Sequence, residues 1–296
     1  MKSHLIFWVE RYFYNPNNLQ KLLSFVLLPL SWLYCFMMYL RFKSKNAEDF
    51  GVKIISVGNL NVGGSGKTPL VSALALHFED TAIILRGYGR ESQGLYVVKD
   101  REKILCDVKV SGDEAMIYAQ KLSDVIVIVS EDRKKGIKKA KEMGCQCLFL
   151  DDAYSKHDIK KQDILIDVPN QNSACLPAGP FRERLWKQKN ALVLKEGRDF
   201  TRVVTLKNPT AKMSLVTAIA RPERLDSFLP RVVSKTYFED HHPFTKAELE
   251  SILNTEKADS LLVTYKDYVK VKDFGLPLSL LDLDIEIQES VLESIL

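Results

Sequence analysis

The sequence predicts an α/β fold: a doubly wound, mostly parallel sheet with helices on both faces. Short apolar runs typical of buried strands alternate with helical patterns between residues 52 and 195. A glycine-rich turn joins the first of these strands to the helix after it. After residue 198 the pattern changes to fewer strands and one helix, which predicts a second, smaller α/β lobe.

The predicted strands are continuous apolar runs bounded by polar residues. In the larger lobe the strands are 52–60, 81–89, 124–130, 145–152, 163–168 and 190–195, and the helices include 69–78, 113–121 and 133–143. In the smaller lobe 202–207, 213–220 and 260–266 are strand-like, and 245–253 is a helix. We therefore expect three parts, with bounds 1–46, 47–198 and 199–296: an N-terminal helical segment, a core and a smaller lobe.

Composition indicates a globular protein in a reducing compartment. The chain has 296 residues, of which 46% are hydrophobic and 27% charged, and its net charge of +4 is too small to indicate a nucleic-acid partner. Its cysteines are odd in number and scattered, so a disulfide framework is not expected. Cys145 and Cys147 could form half of a metal site, but no second Cys or His pair supports that, and buried thiols are the expectation.

Residues 22–40 carry no charge, and a helix of that length spans about 28 Å, close to the thickness of a bilayer's hydrocarbon core. Pro29 should kink this helix near its middle. Basic residues flank the segment at Arg11, Lys21, Arg41, Lys43 and Lys45. We expect a shallow or re-entrant seat on the cytoplasmic face of a membrane, the alternative being a soluble hydrophobic hairpin.

The turn after the first strand nearly matches the phosphate-binding pattern G-x-x-x-x-G-K-[ST]. Its glycines let backbone N–H groups approach a phosphate, Lys67 is placed to reach the β- and γ-phosphates of ATP, and Thr68 to hold Mg²⁺. Asn61 replaces the first glycine, and we expect this to be tolerated because Asn enters left-handed conformations readily. The predicted nucleotide-binding residues are Asn61, Val62, Gly63, Gly64, Ser65, Gly66, Lys67 and Thr68.

Asp151 and Asp152 end a hydrophobic strand, which is how a P-loop protein presents a carboxylate to Mg²⁺. The alternative is an ordinary acidic strand end. Together with the glycine-rich loop, the sequence predicts a metal site of Thr68, Asp151 and Asp152, and a P-loop NTPase-like core that uses ATP and Mg²⁺.

Several further motifs follow one another along the chain. They are "GNLNVGGSGKTP" (58–69), "LRGYGR" (85–90), "SGDEA" (111–115), "LDDAYSKHDI" (150–159), "LPAGPFRE" (176–183) and "FEDHHPF" (238–244). In combination they resemble tetraacyldisaccharide 4'-kinase, the lipid A 4'-kinase of Gram-negative bacteria. The resemblance implies transfer of the γ-phosphoryl group of ATP to the 4'-hydroxyl of a tetraacylated glucosamine disaccharide 1-phosphate, at the cytoplasmic face of the inner membrane.

The resemblance also implies roles for individual residues. Asp113 matches the carboxylate that takes the hydroxyl proton together with the histidine matching His241, and Lys67 matches the phosphate-binding lysine. Further active-site positions near the phosphates and the substrate match Arg86, Tyr88, Arg182 and Glu183. A carboxylate beside a histidine fixes the tautomer of the imidazole. Asp240 could either orient His241 or cap a turn.

Alternatives remain open for several of these residues. Asp113 could be a helix N-cap, His241 and His242 could be surface turn residues, and Arg182 with Glu183 could form an exposed ion pair. His157 is expected to be structural.

The chain also departs from the family pattern. It has "DDAYSKH" where "DDGFQH" is usual, and Tyr265 stands where an acid is common, so 265–267 is not part of the expected site.

Other classes of protein fit less well. A partitioning or site-selection ATPase, a membrane-associated P-loop switch, carries a lysine where this chain has Val62. A GTPase would need an N-K-x-D motif to read guanine, and the sequence has none. A third alternative is a scaffold that binds nucleotide without catalysis.

Overall fold

Two mostly parallel sheets, one in each predicted lobe, organise the chain. A computed structural model describes residues 2–63, 66–220 and 222–296.

The larger sheet has the strand order β3-β4-β2-β5-β1-β6-β7. Its strands are β1 (Lys53–Gly58), β2 (Thr81–Leu85), β3 (Tyr96–Lys99), β4 (Ile126–Val129), β5 (Cys147–Asp151), β6 (Gln162–Ile166) and β7 (Ala191–Leu194). All neighbouring pairs are parallel except β3 and β4. The carboxyl ends of the parallel strands therefore meet along one edge, where ligands bind in folds of this kind.

Helices cover both faces of this sheet, as predicted. They are α4 (Lys67–Ala75), α5 (Val108–Ser111), α6 (Asp113–Lys121) and α7 (Arg133–Glu142). Side chains alternate along each strand, so Ile83 of β2 packs in one core with Leu70 and Tyr118, while Ile84 packs in the other core with Ile137. Burial on both faces explains the continuous apolar runs.

The smaller sheet has the order β10-β9-β11-β12-β8. Its strands are β8 (Phe200–Lys207), β9 (Met213–Thr217), β10 (Ser234–Tyr237), β11 (Ser260–Thr264) and β12 (Leu278–Ile287), with α8 (Lys246–Glu256), α9 (Tyr265–Val271), α10 (Glu289–Ile295) and short 3₁₀ turns at Pro222–Leu225 and Lys272–Phe274. Only β12 and β8 pair antiparallel among these strands. Phe200 and Ile285 share a core with the larger sheet, so the lobes are packed against each other.

Most strands are shorter than predicted, and for two of them the structure shows what ends the strand. The strand predicted over 81–89 ends at Leu85, because Gly87 and Gly89 take positive φ angles of 73° and 76° that belong to turns. The strand predicted over 260–266 ends at Thr264, whose hydroxyl caps the next helix by accepting a hydrogen bond from the backbone N–H of Asp267. The edge strands β3 and β10 and the long strand β12 were not predicted.

The N-terminal segment is three helices, α1 (Lys2–Tyr14), α2 (Asn18–Val26) and α3 (Leu28–Lys43). The prediction of one helix kinked at Pro29 is wrong: α2 and α3 meet at Leu27 with a 56° bend. Pro29 lies instead in the first turn of α3, where a missing N–H costs nothing. Among the described residues no single helix is long and apolar enough to cross a bilayer, and α2 with α3 passes that test only as a bent pair.

The N-terminal helices contact one loop of the core, residues 172–184. The hydroxyl of Ser31 donates to the carbonyl of Cys175 at 2.7 Å, and the hydroxyl of Tyr34 donates to the carbonyl of Arg182 at 3.0 Å. Cys35 and Cys175 form a disulfide.

This disulfide corrects the sequence-based expectation of unpaired cysteines. Its two residues are 140 positions apart, and their meeting depends on the packing of α3, which cysteine spacing does not reveal. Cys106, Cys145 and Cys147 are free, and the last two are buried thiols as expected. Burial raises the pKa of the Cys147 thiol to about 12.

Candidate active site

The phosphate-binding loop leads from β1 into α4. Gly66 takes the N-cap position of α4 with a left-handed φ of 79°, which a glycine adopts without strain. The ammonium group of Lys67 lies 3.1 Å from Oδ1 of Asn59 and 3.6 Å from Oδ1 of Asp152. Two predicted nucleotide-binding residues, Gly64 and Ser65, lie outside the described residues.

Asn61 is tolerated for a different reason from the predicted one. Its φ is not positive; it is buried and forms an antiparallel β-bridge with Phe181, and its carbonyl accepts a hydrogen bond from the side chain of Asn59 at 2.7 Å. The N–H of Val62 donates to the carbonyl of Pro180 at 2.9 Å. The start of the loop is therefore held extended against the 172–184 loop, where a glycine is not needed, and Gly63 makes the turn with a φ of 95°.

Asp151 and Asp152 lie at the carboxyl end of β5, beside β1. The hydroxyl of Tyr118 donates to Oδ2 of Asp151 at 2.9 Å, while Oδ1 of Asp151 is buried and has no hydrogen-bond partner among the residues that the structure describes. Burial, and next the charge of Asp152, raise the pKa of Asp151 although Lys67 opposes them.

The pKa of the neighbouring Asp152 is shifted in the opposite direction. Asp152 has a left-handed φ of 52° and forms an ion pair with Arg182. Burial raises the pKa of Asp152, but the positive charges of Lys67 and Arg182 outweigh burial and hold the pKa below its usual value.

These residues fit a magnesium ion bound together with a nucleotide. In the part of the chain that the structure describes, no group of three or more His, Cys, Asp or Glu residues could hold a metal unaided. Mg²⁺ in nucleotide sites needs only one or two carboxylates, because phosphates and water complete its shell. Oδ1 of Asp151 would supply one, and the side chain of Thr68 lies near the Tyr118 hydroxyl that donates to Asp151.

Asp113 and His241, the acid and histidine predicted to take the hydroxyl proton, connect the two lobes. Nδ1 of His241 lies 2.8 Å from Oδ2 of Asp113, and Asp113 is only 5% exposed. Asp113 is the first residue of α6 and Gly112 is its N-cap, so Asp113 is not the N-cap of this helix. Burial raises the pKa of the Asp113 carboxyl, but the hydrogen bond to His241 and the charge of Lys266 lower it more.

Lys266 completes this cluster, although the sequence analysis left it out. Its Nζ lies 2.7 Å from Oδ1 of Asp240, 3.3 Å from Nε2 of His241 and 3.9 Å from Oδ2 of Asp113. The stretch 265–267, left out of the expected site because Tyr265 departs from the family pattern, was the signal that could have found it. Glu114 was also missed: burial, and next the charge of Asp151, raise its pKa to about 7.

His242 and Asp240 take different directions. His242 turns away from Asp113 and contacts Glu248, with Nε2 3.1 Å from Oε2. Asp240 faces Lys266 and lies 3.6 Å from Nε2 of His241.

The remaining predicted residues surround the two clusters. Tyr88 places its ring 5.1 Å from the ring of His241, and Arg86 is exposed on the same loop. Arg182 and Glu183 do not pair with each other: Arg182 turns to Asp152 and Asn59, while Glu183 is buried, with Oε2 3.8 Å from Nε2 of His157.

His157 lies in a packed environment. Its Nδ1 is 3.0 Å from Nζ of Lys189, and its ring packs edge-on against Phe42 of α3. These contacts agree with the structural role expected from the sequence.

A parallel sheet whose first strand runs through a glycine-rich turn into a helix that begins with lysine defines a P-loop nucleotide-binding protein. A carboxylate paired with a histidine, as between Asp113 and His241 here, can act as a base toward a hydroxyl group. The chain belongs to the tetraacyldisaccharide-1-P 4'-kinase family, whose model matches residues 23–204 and 198–296.

Named relatives resemble the chain over almost its whole length. The tetraacyldisaccharide 4'-kinase of Aliarcobacter butzleri is 46% identical, covering 98% of this chain and 96% of its own. That of Campylobacter jejuni subsp. jejuni serotype O:2 is 47% identical, with 97% and 94% covered, and that of Helicobacter pylori is 46% identical, with 100% and 95% covered.

A solved structure resembles the whole fold. The crystal structure of LpxK from Aquifex aeolicus in complex with ATP matches with a TM-score of 0.73 and 24% identity, over 92% of this chain and 98% of that one. The predicted family and the predicted α/β P-loop fold are confirmed. Family membership supports a kinase over the partitioning-type ATPase.

Proposed function

We propose that this protein is a kinase that transfers the γ-phosphoryl group of ATP to the 4'-hydroxyl of a tetraacylated glucosamine disaccharide 1-phosphate. The observation that carries the proposal is the partly buried contact between Asp113 and His241, in a chain that also has a phosphate-binding loop. Glu114 lies between the phosphate-binding region and the Asp113–His241 pair, since its carboxyl interacts electrostatically with both Asp151 and Lys266. A base therefore stands next to the place where the phosphates of ATP would lie.

The nucleotide end of the site supplies positive charge and oriented N–H groups. Lys67 and the N-terminus of α4 would hold the β- and γ-phosphates, and Arg182, now paired with Asp152, would turn to the transferred group. A magnesium ion bound by Asp151, Asp152 and Thr68 would neutralise charge on the phosphate oxygens. Glu183 is proposed to support this end of the site from its buried position.

The acceptor end supplies the base. Asp113 accepts the proton of the sugar hydroxyl as the hydroxyl oxygen bonds to phosphorus and the bond to the leaving ADP oxygen breaks. The lowered pKa of Asp113 keeps it ionised for this role at neutral pH. Arg86, Tyr88 and Asp240 are proposed to contact the substrate around this pair.

The N-terminal helices are proposed to bring the enzyme to a lipid substrate. They expose a row of apolar side chains, including Leu22, Phe25, Trp32, Phe36 and Leu40. Such a surface suits the cytoplasmic leaflet of a bacterial inner membrane, with Arg41 and Lys43 at the phosphate level.

A cavity links these helices to the reaction site. It has a volume of about 190 Å³ and is lined by Tyr34, Met38, Arg41, Asn59, Asp152, Tyr154, Ser155, Arg182 and Glu183. The first three residues belong to α3, and Asp152 and Arg182 belong to the phosphate end. A lipid headgroup could therefore pass from α3 to the phosphates without leaving the protein surface.

Phosphoryl transfer from γ-labelled ATP tests the proposal. Purified protein in detergent micelles should label tetraacyldisaccharide 1-phosphate when Mg²⁺ is present, and Lys67→Ala should abolish labelling. Lys246→Ala, which removes an exposed lysine of α8, is the matched control and should label normally. ATP hydrolysis without labelled lipid would contradict the kinase and favour an ATPase switch.

A further inference from the structure

Lys266 lies where the two lobes meet. It lies in the first turn of α9, and its side chain is 19% exposed. The ammonium group contacts Asp240 at 2.7 Å and Nε2 of His241 at 3.3 Å, while the other ring nitrogen of His241 contacts Asp113 at 2.8 Å. The imidazole is thus held between a cation and a carboxylate.

The hydrogen bonds that connect Lys266, His241 and Asp113 allow one arrangement of donors and acceptors. An ammonium group has hydrogens to give and no lone pair, so Nε2 of His241 must accept from Lys266 and carry no proton. The proton of the neutral ring is then on Nδ1, from which it is donated to the ionised carboxylate of Asp113. Asp240 does not compete for Nε2, because its nearest oxygen is 3.6 Å away, beyond hydrogen-bond distance.

We propose that Lys266 is a positioning residue that keeps His241 neutral with its proton on Nδ1, so that Asp113 alone accepts the proton of the acceptor hydroxyl. The functional half of this inference rests on the proposed kinase reaction. The hydroxyl proton moves to a carboxylate oxygen of Asp113, the hydroxyl oxygen bonds to phosphorus, and the electron pair of the broken P–O bond leaves with ADP. Lys266 forms no bond in the reaction.

The other charges around this cluster favour the opposite state of the ring. His241 faces the carboxylates of Asp113 and Asp240, and Glu114 adds a third acid near Lys266. Lys270 also acts on Asp113, but it pairs with Asp267 at 3.4 Å and donates to the carbonyl of His242. Without Lys266, Nε2 is therefore free to take a proton beside two carboxylates. The resulting imidazolium ion would stabilise the negative charge of Asp113 and make this carboxylate a weaker base.

The pH dependence of kcat separates this role from a merely structural one. We expect Lys266→Met to lower kcat about tenfold at pH 8.5 and about 100-fold at pH 6, because Nε2 of His241 can bind a proton once Lys266 no longer donates to it, and lower pH favours that proton. Lys266→Arg keeps the donor and should stay within about threefold of the natural protein, and KM for ATP should be unchanged in both variants. Lys272→Met, which removes an exposed lysine just after α9, is the matched control. An equal loss at every pH, or a raised KM for ATP, would overturn the proposal.

A measurement without turnover keeps this test separate from that of the kinase. The ¹⁵N NMR shifts of the His241 ring, assigned by difference from a His241→Gln variant, report its tautomer directly. At pH 7.5 we expect a neutral ring protonated on Nδ1 in the natural protein, and a protonated or mixed ring in Lys266→Met. A ring protonated on Nε2 in the natural protein would overturn the inference even if lipid labelling succeeds. If labelling fails while the predicted tautomer is found, the proposed function fails and the arrangement of Lys266 and His241 stands.

Discussion

The phosphate end of the site and the junction between the lobes contain similar side chains but are built differently. At the phosphate end, Lys67 follows β1, and Asp151 and Asp152 end β5, which pairs directly with β1. At the junction, Asp113 begins α6 of the larger lobe and His241 follows β10 of the smaller lobe, 128 residues later.

This difference separates local folding from the packing of the lobes. The phosphate end forms wherever the larger sheet forms, because neighbouring parallel strands bring their carboxyl ends together. The acid–histidine pair exists only when the lobes pack, through contacts such as Phe200 and Ile285 in the core of the larger sheet. Binding of ATP should therefore be less sensitive to lobe packing than transfer to the acceptor.

Three further substitutions compare the two regions, and the largest effect among them is expected for Asp113 at the junction. Asp113→Asn should lower kcat about 10³-fold, because an amide cannot take the hydroxyl proton, and KM for ATP should change little. Steady-state rates of lipid labelling measure both constants. Asp124→Asn, an exposed acid just before β4, is the matched control. A rate within tenfold of normal for Asp113→Asn would mean that another group is the base.

Removing the charge of Arg182 at the phosphate end should have a smaller effect, on KM for ATP rather than on kcat. Arg182→Met removes a charge that pairs with Asp152 and lies 3.1 Å from Oδ1 of Asn59. A charge-assisted hydrogen bond contributes about 2 kcal/mol, so KM for ATP should rise about 30-fold. Arg198→Met, at an exposed ion pair with Asp199, should leave KM unchanged. An unchanged KM in Arg182→Met would place this guanidinium outside the nucleotide site.

The third substitution concerns Glu114, which lies between the two regions. Burial, and next the charge of Asp151, raise its pKa from 4.5 to about 7. The folded protein then holds a proton that the unfolded chain releases, so this contribution to stability is complete below pH 4.5 and is lost as pH rises through 7. Between pH 5.5 and 8.5, without nucleotide, the natural protein should lose about 2 kcal/mol of unfolding free energy that Glu114→Gln retains.

Denaturant unfolding at the two pH values measures this difference. Glu250→Gln, an exposed acid of α8, should behave as the natural protein does. Equal pH dependence in Glu114→Gln and the natural protein would show that the pKa of Glu114 is not raised in the folded protein.

How much of the site could be predicted differs between the two regions. The phosphate end could be predicted from strand, glycine turn and acidic strand end, since these are close in sequence or follow a fixed pattern. Even there the left-handed conformation predicted for Asn61 was wrong. The backbone of Asn61 depends on a β-bridge to Phe181, 120 positions away.

The junction could be predicted only through the family resemblance. No local pattern connects Asp113 to His241, and Lys266 was missed because its neighbour Tyr265 departs from the family pattern. The bend at Leu27 and the disulfide between Cys35 and Cys175 also depend on contacts between distant segments. Sequence periodicity reports which face of an element is buried, but not what covers it.

The account's central claim is that the base is assembled from both lobes, and a double-mutant cycle tests it most directly. Lipid-labelling rates would be measured for Asp113→Asn, His241→Gln and the double variant. If the two residues act as one unit, the double variant should be as slow as Asp113→Asn to within about threefold. A double variant slower by the product of the two single effects would show that the residues act independently, and would contradict an acid–histidine pair formed across the lobes.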